Sequence, residues 1–200
     1  MPSPFVWNEY LNYFEGKERS KVKEVFFRSK ETGWKNFSLK MTLANNKNRI
    51  SPINNNQFMQ AFLRNKSLRP SCYDCVCKET DGVADITLGD AWGIENYCKK
   101  LDDNKGTSIV FVRSQKGIEL FKNISEKIDF FEAESFEKAL SYNSAMCFSV
   151  PSPSDRDAFF SDLNKGVRFD RLTKKYCSTS ITIRAKRMVK TVLRMNKKAK

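Results

Sequence analysis

Along residues 4–16, PFVWNEYLNYFEG, the apolar positions Val6, Tyr10, Tyr13 and Phe14 recur at helical spacing, which predicts an opening helix that stops at Gly16. The pattern then changes period. Val22 and the run Val25, Phe26, Phe27, followed by Trp34, Phe37, Leu39, Met41 and Leu43, predict two strands. Glu31-Thr32-Gly33 lies between them and makes the pair a hairpin. Residues 45–56 are polar and Asn-rich and read as a loop. A short helix follows over 57–65, with Phe58, Ala61, Phe62 and Leu63 on its buried side. Residues 85–88 alternate as a short strand, and 94–100 read as a short helix or irregular segment. The unbroken apolar run 109–112 has the character of a strand buried on both faces. Ser114 then caps a helix over 115–128, with Ile118, Phe121 and Ile124 at helical intervals, so that strand, turn and helix suggest an α/β unit. Residues 130–132 suggest a further short strand, and Ser135 starts a helix reaching 143. Two helices, 155–164 and 169–176, meet at Gly166. Residues 180–200 form an amphipathic pattern with Ala185, Met188, Val189, Val192 and Leu193 as its stripe. The elements predict an α/β or α+β fold, a mixed sheet of short strands flanked by helices. It would be one domain over 1–178 with a basic amphipathic tail over 179–200.

Length and composition agree with one core: 200 residues, 40% hydrophobic, with 16 Phe as bulky filling. No apolar run approaches the roughly 20 residues of a membrane span. The start, MPSPFVWNEY, lacks the pattern of a secretory leader. The absence of His removes Ser-His-Asp triads, His-paired cysteine nucleophiles and imidazole zinc sites. Net charge is +13, and the eight basic residues of 181–200, which has no acid, account for most of it. That tail could pack on its own domain, lie on an anionic membrane surface, or touch a partner or nucleic acid. Sequence-specific nucleic-acid reading is disfavoured, since no reader motif is present. The expected place is the cytoplasm, with a peripheral position at the inner membrane face as the variant.

The densest chemistry lies in residues 69–93, RPSCYDCVCKETDGVADITLGDAWG. Cys72, Cys75 and Cys77 form C-x-x-C-x-C, a spacing at which thiolates can point at one metal. Six cysteines, three of them in six positions, suit a reduced protein with metal or redox chemistry better than a disulfide scaffold. A four-iron cluster needs a fourth thiolate, which Cys98, Cys147 or Cys177 could supply; zinc and plain free thiols are the other readings. Asp90 and Trp92 stand at the end of the short strand, where ligands are often bound, and Gly93 admits close backbone approach. Asp103, Lys105, Gly106, Thr107 and Ser108 make a polar turn whose N–H and hydroxyl groups could hold a phosphate or ribose, or form an ordinary β-turn. Arg28, Lys30 and Trp34 surround the hairpin turn, suited to a dinucleotide phosphate or to a solvated tip.

Six ordered blocks carry a family resemblance. They are PSPFVWNEYL, FRSKETGWKNFS, the LRPSCYDC run, ADITLGDAWGIE, DDNKGTSIVFVRSQKGIELF and the late ALSYN…SVPSPSDRDAFF, together spanning about residues 2–176. In these the chain resembles the C-terminal domain of the coenzyme F-420 hydrogenase/dehydrogenase beta subunit family. The resemblance implies a flavin and iron–sulfur protein that moves electrons between a ferredoxin-type 4Fe-4S cluster, FAD and a partner. Many bacterial relatives stand beside polysaccharide functions. Full-length members usually begin with a ferredoxin-like segment, and this chain starts where a Cys-bearing stretch of the family ends. The expectation is therefore a natural half protein, a truncated gene product or one piece of a split system, with a ferredoxin-like or N-terminal-half redox partner. Under the resemblance Cys72, Cys75 and Cys77 are the cluster ligands, and Asp85, Asp90, Trp92 and Gly93 the flavin-facing wall. A non-catalytic accessory module that kept the fold and lost the redox centre is the alternative, and a small zinc-stabilised module the third reading.

Overall fold

The structure, a computed structural model, describes residues 1–78, 84–133 and 135–178. Helix α1 (Pro4–Glu18) begins with Pro4 in its first turn, where a missing N–H costs nothing. It runs through Gly16 rather than stopping there. The stop is Arg19, left-handed at φ 51°, whose N–H bonds the Glu15 carbonyl. Glu15 then fastens the next strand, accepting from the Val22 N–H at 2.8 Å and the Lys21 ammonium at 2.7 Å.

The hairpin holds as β1 (Val22–Ser29) and β2 (Ser38–Leu43), antiparallel with Val25 opposite Met41. The Asn-rich loop contains a third strand, β3 (Asn48–Pro52), paired antiparallel to β2. Asn46, at φ 61°, makes the tight turn between them, as Asn tolerates that backbone better than most residues. β3 is an exposed edge with no apolar alternation, so hydrophobic patterning could not reveal it. β2 is central, and Leu39, Met41 and Leu43 are fully buried. Trp34, expected at the head of the second strand, lies in the connecting turn instead.

Helix α2 (Gln57–Leu63) is capped by Asn56, whose Oδ1 accepts from the Met59 N–H at 2.9 Å. The same side chain donates to the Tyr10 hydroxyl at 2.9 Å, tying α2 to α1. The chain then returns beside its own start. Ser3 N–H donates to Ser67 O at 2.7 Å and Arg69 N–H to Met1 O at 3.1 Å. α6 (Arg156–Asn164) and α7 (Phe169–Cys177) come back to close this body, joined through Gly166 at φ 75°. Val6, Tyr10, Leu39, Met41, Phe58, Phe159 and Leu172 are among its buried residues.

Between these parts lies a second sheet, β4 (Ile86–Asp90) and β5 (Ser108–Val112), antiparallel with Leu88 opposite Val110. The class is thus α+β, and the strands form two antiparallel sheets rather than one mixed sheet. The strand–helix order after residue 108 suggests an α/β unit, but β5 pairs antiparallel with β4. β5 also alternates between half-buried and exposed positions, so its continuous apolar run does not mean burial on both faces. Short helices surround the ribbon: α3 (Ile94–Tyr97), α4 (Gln115–Ile124) and α5 (Phe136–Ser141). Ser114 and Ser135 cap α4 and α5, accepting from the Gly117 N–H at 3.0 Å and the Lys138 N–H at 3.1 Å. Residues 130–132 are irregular, not a strand. The amphipathic tail lies outside the described residues. Among the described residues no helix is long and apolar enough to cross a membrane.

Candidate functional site

Three sequence-distant groups of candidates meet where the two sheets touch. Arg28, from β1, forms an ion pair with Asp90 at the end of β4. Its guanidinium carbon stands 5.0 Å from the Phe37 ring centre, 5.3 Å from that of Trp92 and 5.9 Å from that of Trp34. Trp34 and Trp92 stack on one another, with ring centres 4.6 Å apart and planes at 17°. A cation enclosed by aromatic faces gains more than an exposed one, because water competes less for it.

The hairpin tip is pinned to the polar turn that follows α3. Trp34 N–H donates to Asn104 O at 3.0 Å, and the Lys30 ammonium donates to Lys105 O at 2.9 Å. Lys35 reaches Asp102 at 2.7 Å and Glu95 at 3.2 Å, and Asp102 in particular raises its pKa. Gly106, at φ 105°, makes room for the indole: a Cβ there would stand 2.5 Å from Trp34. The turn's remaining groups are used internally. Thr107 Oγ1 donates to Leu101 O at 2.7 Å, the Thr107 carbonyl accepts from the Ala91 N–H, and Ser108 lies opposite Asp90 in the ribbon. Lys30, Lys105, Gly106, Thr107 and Ser108 therefore support the latch between the sheets. Asp85 sits apart, where it accepts from the Ser114 hydroxyl at 2.5 Å at the start of α4.

Asp90 and Trp92 also line a cleft of about 420 Å³. Gly89, Tyr142 and Met146 form other walls, and Cys77 and Lys78 border it. Gly93, at φ 74°, lets Tyr142 close over the turn: a Cβ there would collide with the ring. Met146 lies against Gly89 in the same way, its sulfur 3.2 Å from the place of a Cβ. Sequence reasoning misses Tyr142 and Met146, since nothing local links them to residues fifty positions earlier. The cysteine stretch is fastened beside them. Cys75 N–H donates to Ser149 Oγ at 2.8 Å, and Lys78 donates to the Ala145 carbonyl. Behind Tyr142 stands Tyr97, ring centres 6.0 Å apart. Burial, ahead of the nearby Cys98 and Glu95, raises the Tyr97 pKa and keeps its phenol protonated.

The three clustered thiols differ in their surroundings. Cys72 Sγ accepts from the Met1 amino group at 2.8 Å, Cys75 is half-buried, and Cys77 is exposed at the cleft. Among the described residues no three Cys, Asp or Glu side chains gather closely enough to hold a metal ion. Among the described residues the thiols expected as cluster ligands thus do not gather into a ligand set of three. Cys98 and Cys177 are buried core residues, and burial pushes the Cys177 thiol up to about 11.

No curated protein and no solved structure matches the sequence. The family described as the C terminus of the coenzyme F420 hydrogenase/dehydrogenase beta subunit matches residues 1–138, which include the hairpin, the cysteine stretch, both strands of the ribbon and every residue of the latch. The chain belongs to this family of C-terminal domains.

Proposed function

We propose that this chain is the C-terminal part of a flavin/iron–sulfur electron-transfer oxidoreductase subunit, and that the cleft against Trp92 receives the flavin ring. The observation that carries the reading is that Asp90 and Trp92, which line one cleft, are backed by Arg28 and Trp34 from the hairpin of the other sheet. The residues present fit a planar ring. Trp92 is backed by Trp34 and so offers a fixed aromatic surface, while Gly89 and Gly93 let Met146 and Tyr142 pack close as the facing walls. The volume lies within the roughly 300–1,000 Å³ usual for ligand sites. A bound flavin supplies the electron chemistry; the chain orients it and shields it from water. Asp90, held by Arg28, would keep one carboxylate at a fixed place beside the ring.

Among the described residues the thiols do not gather into the ligand set of a complete four-iron cluster. A cluster here would need thiolates from a ferredoxin-like or N-terminal-half partner, which is the partner class the reading implies. The same observation favours a second reading, an accessory module. The latch residues bond and stack mainly on one another, and a latch alone would account for those contacts.

The test is the visible absorption spectrum of anaerobically purified protein, with iron, sulfide and zinc analysis, before and after addition of FAD. Bound flavin that is lost in Trp92→Ala supports the redox reading. A folded, colourless protein that takes up no added FAD overturns it in favour of the accessory module.

A further inference from the structure

The strands at the open edges of the two sheets differ in how they are guarded. β1 and β3 flank β2; β1 carries Lys23, Glu24 and Arg28, and β3 carries Arg49 and Pro52. In the ribbon β4 ends in Asp90, whereas β5, Ser-Ile-Val-Phe-Val, has neither charge nor proline. Native sheets place such residues on open edges because an unguarded edge invites another strand. The charge that follows β5 is turned inward: Arg113 Nε donates to Thr87 Oγ1 at 2.9 Å, across the ribbon.

The ladder fixes which β5 groups face out. Arg113 N–H donates to Asp85 O and Ala91 N–H to Thr107 O, both at 2.9 Å. In the register that sets Leu88 opposite Val110, bonded and unbonded pairs alternate, so Ile109 and Phe111 turn their backbone groups to β4 as Thr107 and Arg113 do. Ser108, Val110 and Val112 therefore turn their N–H and C=O groups to the free edge. Among the described residues none of these groups has a partner. All three residues are exposed, Val110 and Val112 at 37%.

We propose that this edge binds a second copy of itself: β5 pairs antiparallel with the β5 of another copy of this chain about a two-fold axis at Val110. The pattern of the strand selects that occupant. In an antiparallel self-pair a charge at the axis meets its own copy, which is unfavourable, and β5 has none. The outward backbone groups are symmetric about Val110. Val110 exchanges both bonds with its copy, and Ser108 exchanges both with Val112 on either side. The side chains agree: Leu88 and Val110 form one row on the exposed face, and the axis continues it as Leu88, Val110, Val110, Leu88. The isologous contact joins two marginal ribbons into one four-stranded sheet. No β5 residue lines the cleft, so the inference is independent of what the cleft binds. An edge of 5 residues is small beside the roughly 1,200–2,000 Å² of a standard interface, so association depends on concentration.

The experiment follows sedimentation velocity and hydrogen exchange of the full chain over a range of concentrations, for wild type, Val110→Lys and Ser108→Pro. Wild type should pass from monomer to dimer as concentration rises, with the amides of residues 108–112 gaining protection in step. Val110→Lys sets two ammonium groups at the axis and should stay monomeric, keeping the thermal midpoint of the wild-type monomer because Val110 is exposed. Ser108→Pro removes an outward N–H from each chain at the first residue of the strand, where proline is tolerated, and should weaken the dimer about tenfold. It decides the matter should Val110→Lys not fold. A wild type that is monomeric at every concentration overturns the inference and leaves the edge to a strand of another protein. A dimer that the folded variants leave unchanged, or that forms without protection in β5, overturns it by placing the contact elsewhere.

Discussion

The first sheet, with α1, α2, α6 and α7, buries a continuous core that includes Val6, Tyr10, Leu39, Met41, Phe58, Phe159 and Leu172. The β4–β5 ribbon and its short helices bury Ala91, Ile94 and Cys98 as their own cluster, and leave Leu88 70% and Phe130 57% exposed. The ribbon's strongest apolar anchor is borrowed. Trp92, which follows β4, packs against the core of the other body and stacks on Trp34. A two-stranded ribbon is marginal by itself, and this one depends on its contacts with the larger body. The candidate site lies at that junction, where a rigid body meets a region of fewer buried contacts. Sites that must admit a ligand are commonly drawn from such places.

Removing packing should separate the two regions most clearly. Phe58→Ala, in the centre of the first core, is expected to cost about 3–5 kcal/mol in chemical denaturation, whereas Leu88→Ala on the ribbon should stay within about 0.5 kcal/mol. Trp34→Ala removes a buried indole at the junction and should cost on the order of 3 kcal/mol. Its signature would be local: faster hydrogen exchange across β4 and β5, with β2 still protected. Equal loss of protection in both sheets would show that the regions unfold as one.

Smaller effects sharpen the account of the first body. Tyr10→Phe loses the bond from Asn56 and should cost about 1 kcal/mol. Burial pushes the Tyr10 phenol up to about 12, above its ordinary value of 10.0. The unfolded chain then ionises first, so wild-type stability should fall as pH rises from about 10 to 12, and the variant should lack that decline. Gly16→Ala should stabilise by about 0.5–1 kcal/mol, since Gly16 is helical and a Cβ there meets nothing within 4 Å. A loss of stability instead would mean that the α1 surface at Gly16 is packed in solution. The smallest effect concerns Glu15. The Lys21 ammonium and then the Val22 N–H hold its carboxyl below the ordinary carboxylate range. That stabilisation is present above the unfolded value and is lost as pH falls through the folded one, so Glu15→Gln should flatten the acid limb slightly.

Much of the fold was legible where an element carried its own signal. The helix start at Pro4, the Ser114 and Ser135 caps and the 155–164 and 169–176 helices follow from local chemistry and helical spacing. β3 was not legible, because an exposed edge strand of Asn, Arg, Ile, Ser and Pro shows no burial pattern. The stop of α1 was misplaced, because a glycine signals a helix end only when the following backbone uses its freedom, and here Arg19 takes the left-handed position. In the candidate site, residue types pointed to Arg28, Asp90, Trp92, Gly93 and Gly106 one by one. Their chemistry was visible, but their partners were not.

The sequence by itself determined most of the element types, the charge distribution, the exclusion of histidine chemistry and the membership of the family, since each is local or carried by ordered blocks along the chain. The tertiary structure alone decided that Arg28 meets Asp90, that Trp34 meets Trp92, and that Cys72 lies against Met1 while Cys77 borders the cleft. The reason is distance along the chain. Contacts between positions so far apart leave no period or spacing to read, and they form only when two sheets with separate cores come to share one edge.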